Sequence, residues 1–212
     1  EVIRLSGMNI PINDVDRPLV IKVASISSAR IQVYFIDNED YFHRKSVYKD
    51  ENGEFFADNG ERAIFFARGV LETVKKLRWA PDIIHCQGWI SQVLPLYLKK
   101  VYVDDPIFSN SKVVLSVYDD TPAVNFPEDF KDKILIPGIT EKDVEILSDP
   151  SGINLAKLAA EYSDGVIYGS ADIPEEIVAF CKEKGLPAIE YNKEALEDGS
   201  YTEEYNSFYD QL

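Results

Sequence analysis

With two cysteines, two histidines and a deficit of positive charge in 212 residues, the sequence excludes several functions before any motif is read. Cys86 and Cys181 fall in a predicted strand and a predicted helix and are too few for a disulfide framework, so a reducing, cytoplasmic setting is expected. His43, read as a solvent-facing loop residue, and His85 have no second His or Cys at metal-ligand spacing, and two separate histidines do not make a hydrolase triad. No G-x-G-x-x-G or G-K-[ST] run is present to cradle phosphate, and no G-x-S-x-G to present a nucleophile. Neither a metal nor a cofactor is therefore expected. No apolar run approaches the ~20 residues of a membrane span, and no basic stretch leads into an apolar signal segment, so no membrane partner is expected. The 22 Lys and Arg are outnumbered by 37 Asp and Glu, a formal net charge of -15. That balance argues against nucleic acid, whose phosphates need clustered cations.

What the sequence does have is the composition of an ordered globular protein, 45% hydrophobic and 12% aromatic. Its length suits a single domain over residues 1–212. The chain begins with Glu1 rather than Met, and trimmed upstream sequence is expected. The organising stretch runs from Pro81 to Lys99. Ile83-Ile84-His85-Cys86 has the length of a buried parallel strand, and Gln87-Gly88 breaks it. Trp89, Val93, Leu96 and Tyr97 then recur at helical spacing, with Pro95 expected to kink the helix. In an open α/β sheet the carboxyl end of such a strand faces the ligand crevice, which places His85, Gln87 and Gly88 where a sugar or nucleotide would sit. His85 reads equally well as a strand histidine hydrogen-bonded to backbone.

Upstream, runs from Ile3 to Ile10, Leu19 to Val23 and Ile31 to Ile36 read as three successive strands. The linker of residues 13–18 contains Asp14-Val15-Asp16, a pattern that holds a metal in one class of glycosyltransferases; Asn and Asp ahead of Pro18 favour an ordinary turn. Asp58 and Asn59 precede a helix whose apolar face is Ile64, Phe65, Ala67, Leu71, Val74 and Leu77. They are readable as caps, contributing about 1 kcal/mol, or as groups that orient sugar hydroxyls. Downstream, strands are expected at residues 111–119, 164–170 and 186–191, a loop with short helices at 121–150, and an acidic, Tyr-rich surface helix at 194–212. The fold class expected is α/β, a Rossmann-like parallel sheet flanked by helices, with His85, Asp119 and Ser170 at the carboxyl ends of neighbouring strands.

Pro81-Asp82-Ile83-Ile84-His85-Cys86-Gln87-Gly88-Trp89-Ile90-Ser91, followed by Val93-Leu94-Pro95-Leu96-Tyr97-Leu98-Lys99, resembles a segment of bacterial glycogen synthases and plant starch synthases, P-D-V-V-H-A-H-D-W-H-T-A-L-V-P-x-Y-L-K. Val33-Tyr34-Phe35-Ile36-Asp37 with Tyr41-Phe42, then Asp58-Asn59 with Arg62, then residues 112–119, are similar to further motifs of that family in the family's order. Gln87, Gly88, Ile90 and Tyr118 depart from it at polar positions.

The resemblance, to glycosyltransferase family 5, implies the N-terminal half of a GT-B glycosyltransferase, without that family's first strand and C-terminal domain. It implies an ADP-glucose:α-1,4-glucan glucosyltransferase, with ADP-glucose as donor and an α-glucan or maltooligosaccharide as partner. It makes Asp58, Asn59, Gln87, Trp89 and Tyr118 sugar-binding candidates, and Asp58, His85 and Gln87 catalytic candidates. A second glycosyltransferase domain or a homo-oligomer is the further partner implied. Lacking the donor half, the isolated chain is expected to be inactive. The alternative is a non-catalytic α-glucan-binding or regulatory protein derived from a glycogen synthase.

Overall fold

The computed structural model describes residues 1–212. Three strands open the chain: β1 (Ile3–Ile12), β2 (Val15–Ile26) and β3 (Ile31–Asp37). They form a separate antiparallel sheet in the order β1-β2-β3, not part of the parallel sheet. The reason is local, since strands joined by tight links pair only antiparallel. Asn13 (φ 49) and Asp14 (φ 63) supply the consecutive left-handed residues of a two-residue hairpin turn. The turn is thus shorter than the sequence reading placed it, and Val15 to Pro18 pair with β1 instead of looping. Ile10, Ile12, Leu19 and Ile21 are buried from this sheet.

After the short α1 (Glu39–Phe42), capped by Asn38, which accepts from the Tyr41 N–H at 3.0 Å, comes the long α2 (Asn59–Leu77). It buries Ala63, Ile64, Phe65, Ala67 and Leu71, packing on β1 and β3 and, elsewhere on its surface, on α3 (Leu94–Lys100) and α4 (Phe130–Ile134). The chain leaves β4 (Ile83–Gln87) through a 3-10 turn at Trp89–Ser91, so α3 starts only at Leu94. Pro95 therefore stands in the first turn, where its missing N–H costs nothing, and does not kink a longer helix.

The second sheet is parallel, in the order β4-β5-β6-β7, with β5 at Lys112–Val117, β6 at Gly165–Tyr168 and β7 at Ala188–Ile189. The helices α5 (Gly152–Glu161) and α6 (Glu175–Glu183) complete its crossovers. One face, carrying Cys86, Val113, Leu115, Val117 and Val166, joins the main core. The other carries Val114, Ile167 and Ile189, and the chain returns to cover it through α7 (Lys193–Asp198) and α8 (Tyr201–Gln211). Phe208 of α8 is only 4% exposed, so the terminal helix expected over the surface is anchored there by a buried side chain, and a second short helix, α7, precedes it. The anchoring residues Tyr205, Phe208, Tyr209 and Leu212 recur at helical spacing. No helix is long and apolar enough to cross a membrane.

Candidate functional site

The carboxyl ends of β4 and β5 open into a cleft of about 660 Å3. A cleft of about 680 Å3 beside Lys100, Lys157 and Tyr162 lies among helices, away from the strand ends. The first is the position where open α/β sheets hold ligands. Gly88 ends β4 at φ 80, a backbone conformation that glycine adopts without strain. Asp119 and Asp120 follow β5 and line the cleft together with the aromatic wall of Tyr48, Phe55 and Trp89, Asp120 accepting from the Trp89 N–H at 3.0 Å.

That wall is held from beneath. The loop of residues 43–58 folds on itself through a bridge between Lys49 and Phe55 and through Asp50, whose carboxylate accepts from the Asn52 N–H at 2.8 Å and the Glu54 N–H at 3.0 Å. Asn59 donates to the Tyr48 carbonyl at 2.9 Å, and Arg62 donates to the Val47 carbonyl at 2.7 Å, the Tyr41 carbonyl at 2.8 Å and Asn59 Oδ1 at 2.7 Å. Trp89 then packs against Tyr48, Phe55 and Phe126 at centroid distances of 4.8, 5.4 and 5.7 Å, the range in which tilted aromatic pairs attract. Burial, with Asp120 adding to it, raises the pKa of the Tyr48 hydroxyl, so it stays protonated and able to donate.

Asp119 and Ser170 meet as the strand order predicts: the Asp119 N–H donates to Ser170 Oγ at 3.2 Å, and the Ser170 hydroxyl to Asp119 Oδ1 at 3.4 Å. His85 does not join them. It lies within β4, with Nδ1 at 2.7 Å from the Tyr209 hydroxyl and Nε2 at 2.6 Å from Ser116 Oγ, both ring nitrogens engaged.

The other candidates are dispersed. Asp58 makes no capping hydrogen bond and instead pairs with Arg44, whose Nη1 donates to Oδ1 at 2.8 Å and whose Nη2 donates to Oδ2. Asn59 is fully buried and its amide serves the loop above it. Gln87 and Tyr118 come together, the tyrosine hydroxyl donating to Gln87 Oε1 at 3.3 Å. Trp89 is 2% exposed, more a wall than an open platform. The sequence reading missed Asp120 and Thr121 as cleft residues. Their signal was present, an acidic pair and a hydroxyl one residue past a strand buried from Val113 to Val117.

Burial pushes the His85 pKa below its ordinary value of 6.5. Below that value the unfolded chain binds the proton more readily than the folded one, so stability is full above it and falls as pH drops toward the folded value. His85→Gln is expected to flatten that part of the profile, read as urea midpoints between about pH 5 and 8. An unchanged slope would assign the acid sensitivity elsewhere.

The sequence matches the family described as starch synthase catalytic domain over residues 1–189. It is 36% identical to a glycogen synthase of Chlorobium limicola over 179 residues, covering 84% of this chain and 36% of that protein. A glycogen synthase of Chlorobaculum tepidum is 33% identical over 219 residues, covering 100% of this chain and 44% of that protein. The chain thus spans less than half the length of these curated relatives. Among solved structures, the catalytic domain of starch synthase IV from Arabidopsis thaliana, bound to ADP and acarbose, superposes with a TM-score of 0.69 at 14% identity, covering 90% of this chain and 40% of that one. At that identity the likeness is one of fold.

Proposed function

Since the chain belongs to the starch synthase catalytic domain family, glycosyltransferase family 5, we propose that its strand-end cleft binds an α-glucan or maltooligosaccharide as the acceptor side of glucosyl transfer. The observation that carries this reading is the pairing of an aromatic wall, Tyr48, Phe55 and Trp89, with hydroxyl-orienting oxygens of Asp119 and Asp120 in one cleft. Sugars present apolar faces to rings and hydroxyls to carboxylates, and this cleft offers both.

Transfer from ADP-glucose asks for more. Charge develops on the departing diphosphate, and cationic groups must meet it. Lys49 is the single cation lining the cleft. Residues 1–212 are read as one Rossmann-like domain acting in the cytoplasm, and the remaining cations come from a second glycosyltransferase domain or another copy of the chain. Titrating maltotriose by NMR is expected to shift amides of residues 48–55 and 119–124 with millimolar affinity, about 4 kcal/mol, while ADP leaves them in place. Radiolabelled ADP-glucose with glycogen should give no incorporation. ADP binding without glucan binding overturns the acceptor assignment.

The alternative, a non-catalytic glucan-binding or regulatory protein, draws support from Asp58 and His85, whose polar atoms are engaged by Arg44, Tyr209 and Ser116. It predicts glucan binding without transfer even when a donor-side glycosyltransferase domain is supplied.

A further inference from the structure

We propose that Arg62 is a positioning residue for the cleft: its guanidinium fixes the peptides on both sides of Tyr48, one directly and one through Asn59, and so aims the Tyr48 ring at the ligand. This rests on the reading of the cleft as a sugar site and deepens it by naming what sets one wall of that site.

Arg62 is 3% exposed, and all three of its side-chain hydrogen bonds go to uncharged oxygens, the carbonyls of Tyr41 and Val47 and Oδ1 of Asn59. Burying a cation without a carboxylate in contact is unfavourable. The nearby acid, Asp58, is held by Arg44 instead. What the buried charge does achieve is a clamp between α2 and the loop of residues 43–58, since two of its acceptors are main-chain carbonyls ahead of the helix.

The clamp closes on Tyr48. Arg62 Nη1 donates at 2.7 Å to the Val47 carbonyl, which belongs to the peptide entering Tyr48, and at 2.7 Å to Asn59 Oδ1. With that oxygen engaged, the Asn59 amide turns its Nδ2 toward the Tyr48 carbonyl, which belongs to the peptide leaving Tyr48, and donates to it at 2.9 Å. The Phe56 N–H reaches the same carbonyl at 3.0 Å. Because each peptide is planar, holding both restricts the direction of the bond from Cα to Cβ between them. Packing does not hold the chain at Val47, whose side chain is 65% exposed. The Tyr48 ring aimed in this way meets Trp89 at a centroid distance of 4.8 Å and lines the cleft. A lysine at this position would keep the charge, but its single nitrogen cannot span the three acceptors as the planar fork does.

The test compares the wild type with Arg62→Lys, which keeps the charge and loses the fork, and Asn59→Ala, which cuts the relay and leaves Arg62 in place. Amide dispersion reports folding and urea midpoints report stability. Two readouts follow the cleft: nuclear Overhauser contacts between the Tyr48 and Trp89 rings without ligand, and maltotriose affinity by NMR titration of the folded protein. Both variants should lose the ring contacts and bind maltotriose about tenfold more weakly. A role in stability alone would lower the urea midpoint and leave the ring contacts and the affinity of the folded protein as they are. Persistence of the ring contacts, or an unchanged affinity, overturns the proposal, and Asn59→Ala decides by the same readouts if Arg62→Lys is disordered. No shift with sugar in the wild type removes the sugar site, while the ring contacts, measured without ligand, still decide the role of Arg62.

Discussion

Trp89→Ala is expected to destabilise the protein by about 3–5 kcal/mol, the range for a buried aromatic truncation. The indole is 2% exposed and touches Tyr48, Phe55 and Phe126, which come from the loop of residues 43–58 and from the segment after β5. Removing it leaves a cavity that these rings cannot close together, because their backbones are held by separate hydrogen bonds. The cleft wall should slacken with it, and maltotriose shifts at residues 48–55 should vanish. Urea denaturation gives the first quantity. Fluorescence gives an internal control: Trp79, 67% exposed, is the only other tryptophan, so the variant's folded emission should move to the red. Trp79→Ala should stay within about 0.5 kcal/mol of wild type. A Trp89→Ala loss below about 1 kcal/mol would show that the aromatic wall is not a packed unit.

The second large effect is expected at Gly152, the first residue of α5. In an exposed helix Gly→Ala stabilises by up to about 1 kcal/mol. Here the sign should reverse. A Cβ at this position would lie 2.5 Å from the Pro122 carbonyl oxygen and 2.9 Å from Pro122 Cδ, and backbone cannot swing aside as a side chain does. Gly152→Ala should cost about 1–3 kcal/mol as an overpacking change. Pro122 belongs to the segment that lines the cleft, so relief of the clash moves residues 119–124. Maltotriose affinity should therefore drop in a variant whose altered side chain never meets the ligand. Gains in both stability and affinity would contradict the close approach of α5 to this segment.

The parts of the fold that were legible in the sequence are those fixed by local pattern. Residues 111–119 and 164–170 read as strands because an apolar run bounded by turn residues has few other uses, and the strands lie within them, at Lys112–Val117 and Gly165–Tyr168. The three opening strands were legible as strands, but their separation into another sheet depended on two left-handed residues at Asn13 and Asp14. The site was less legible, because each side chain's role is set by a partner distant in sequence. Nothing near Asp58 announces Arg44 as its ion-pair partner, nothing near Asn59 announces the Tyr48 carbonyl, and Tyr209 meets His85 across 124 positions. Asp120 is visible as an acidic residue after a strand. Its hydrogen bond from the Trp89 N–H follows only from the turn that Gly88 makes at φ 80.

That His85–Tyr209 pairing has a consequence for how the chain is made. The antiparallel strands can pair before the rest of the chain is made, since their strand-to-strand hydrogen bonds are near in sequence. The parallel sheet has no such independence. Val114, Ile167 and Ile189 wait for Phe208, so throughout translation of everything from β4 to α7 one apolar side of the nascent sheet stands bare. Residues 201–211 thus end the interval in which the growing chain is most open to chaperones and to misassembly with its neighbours on the polysome.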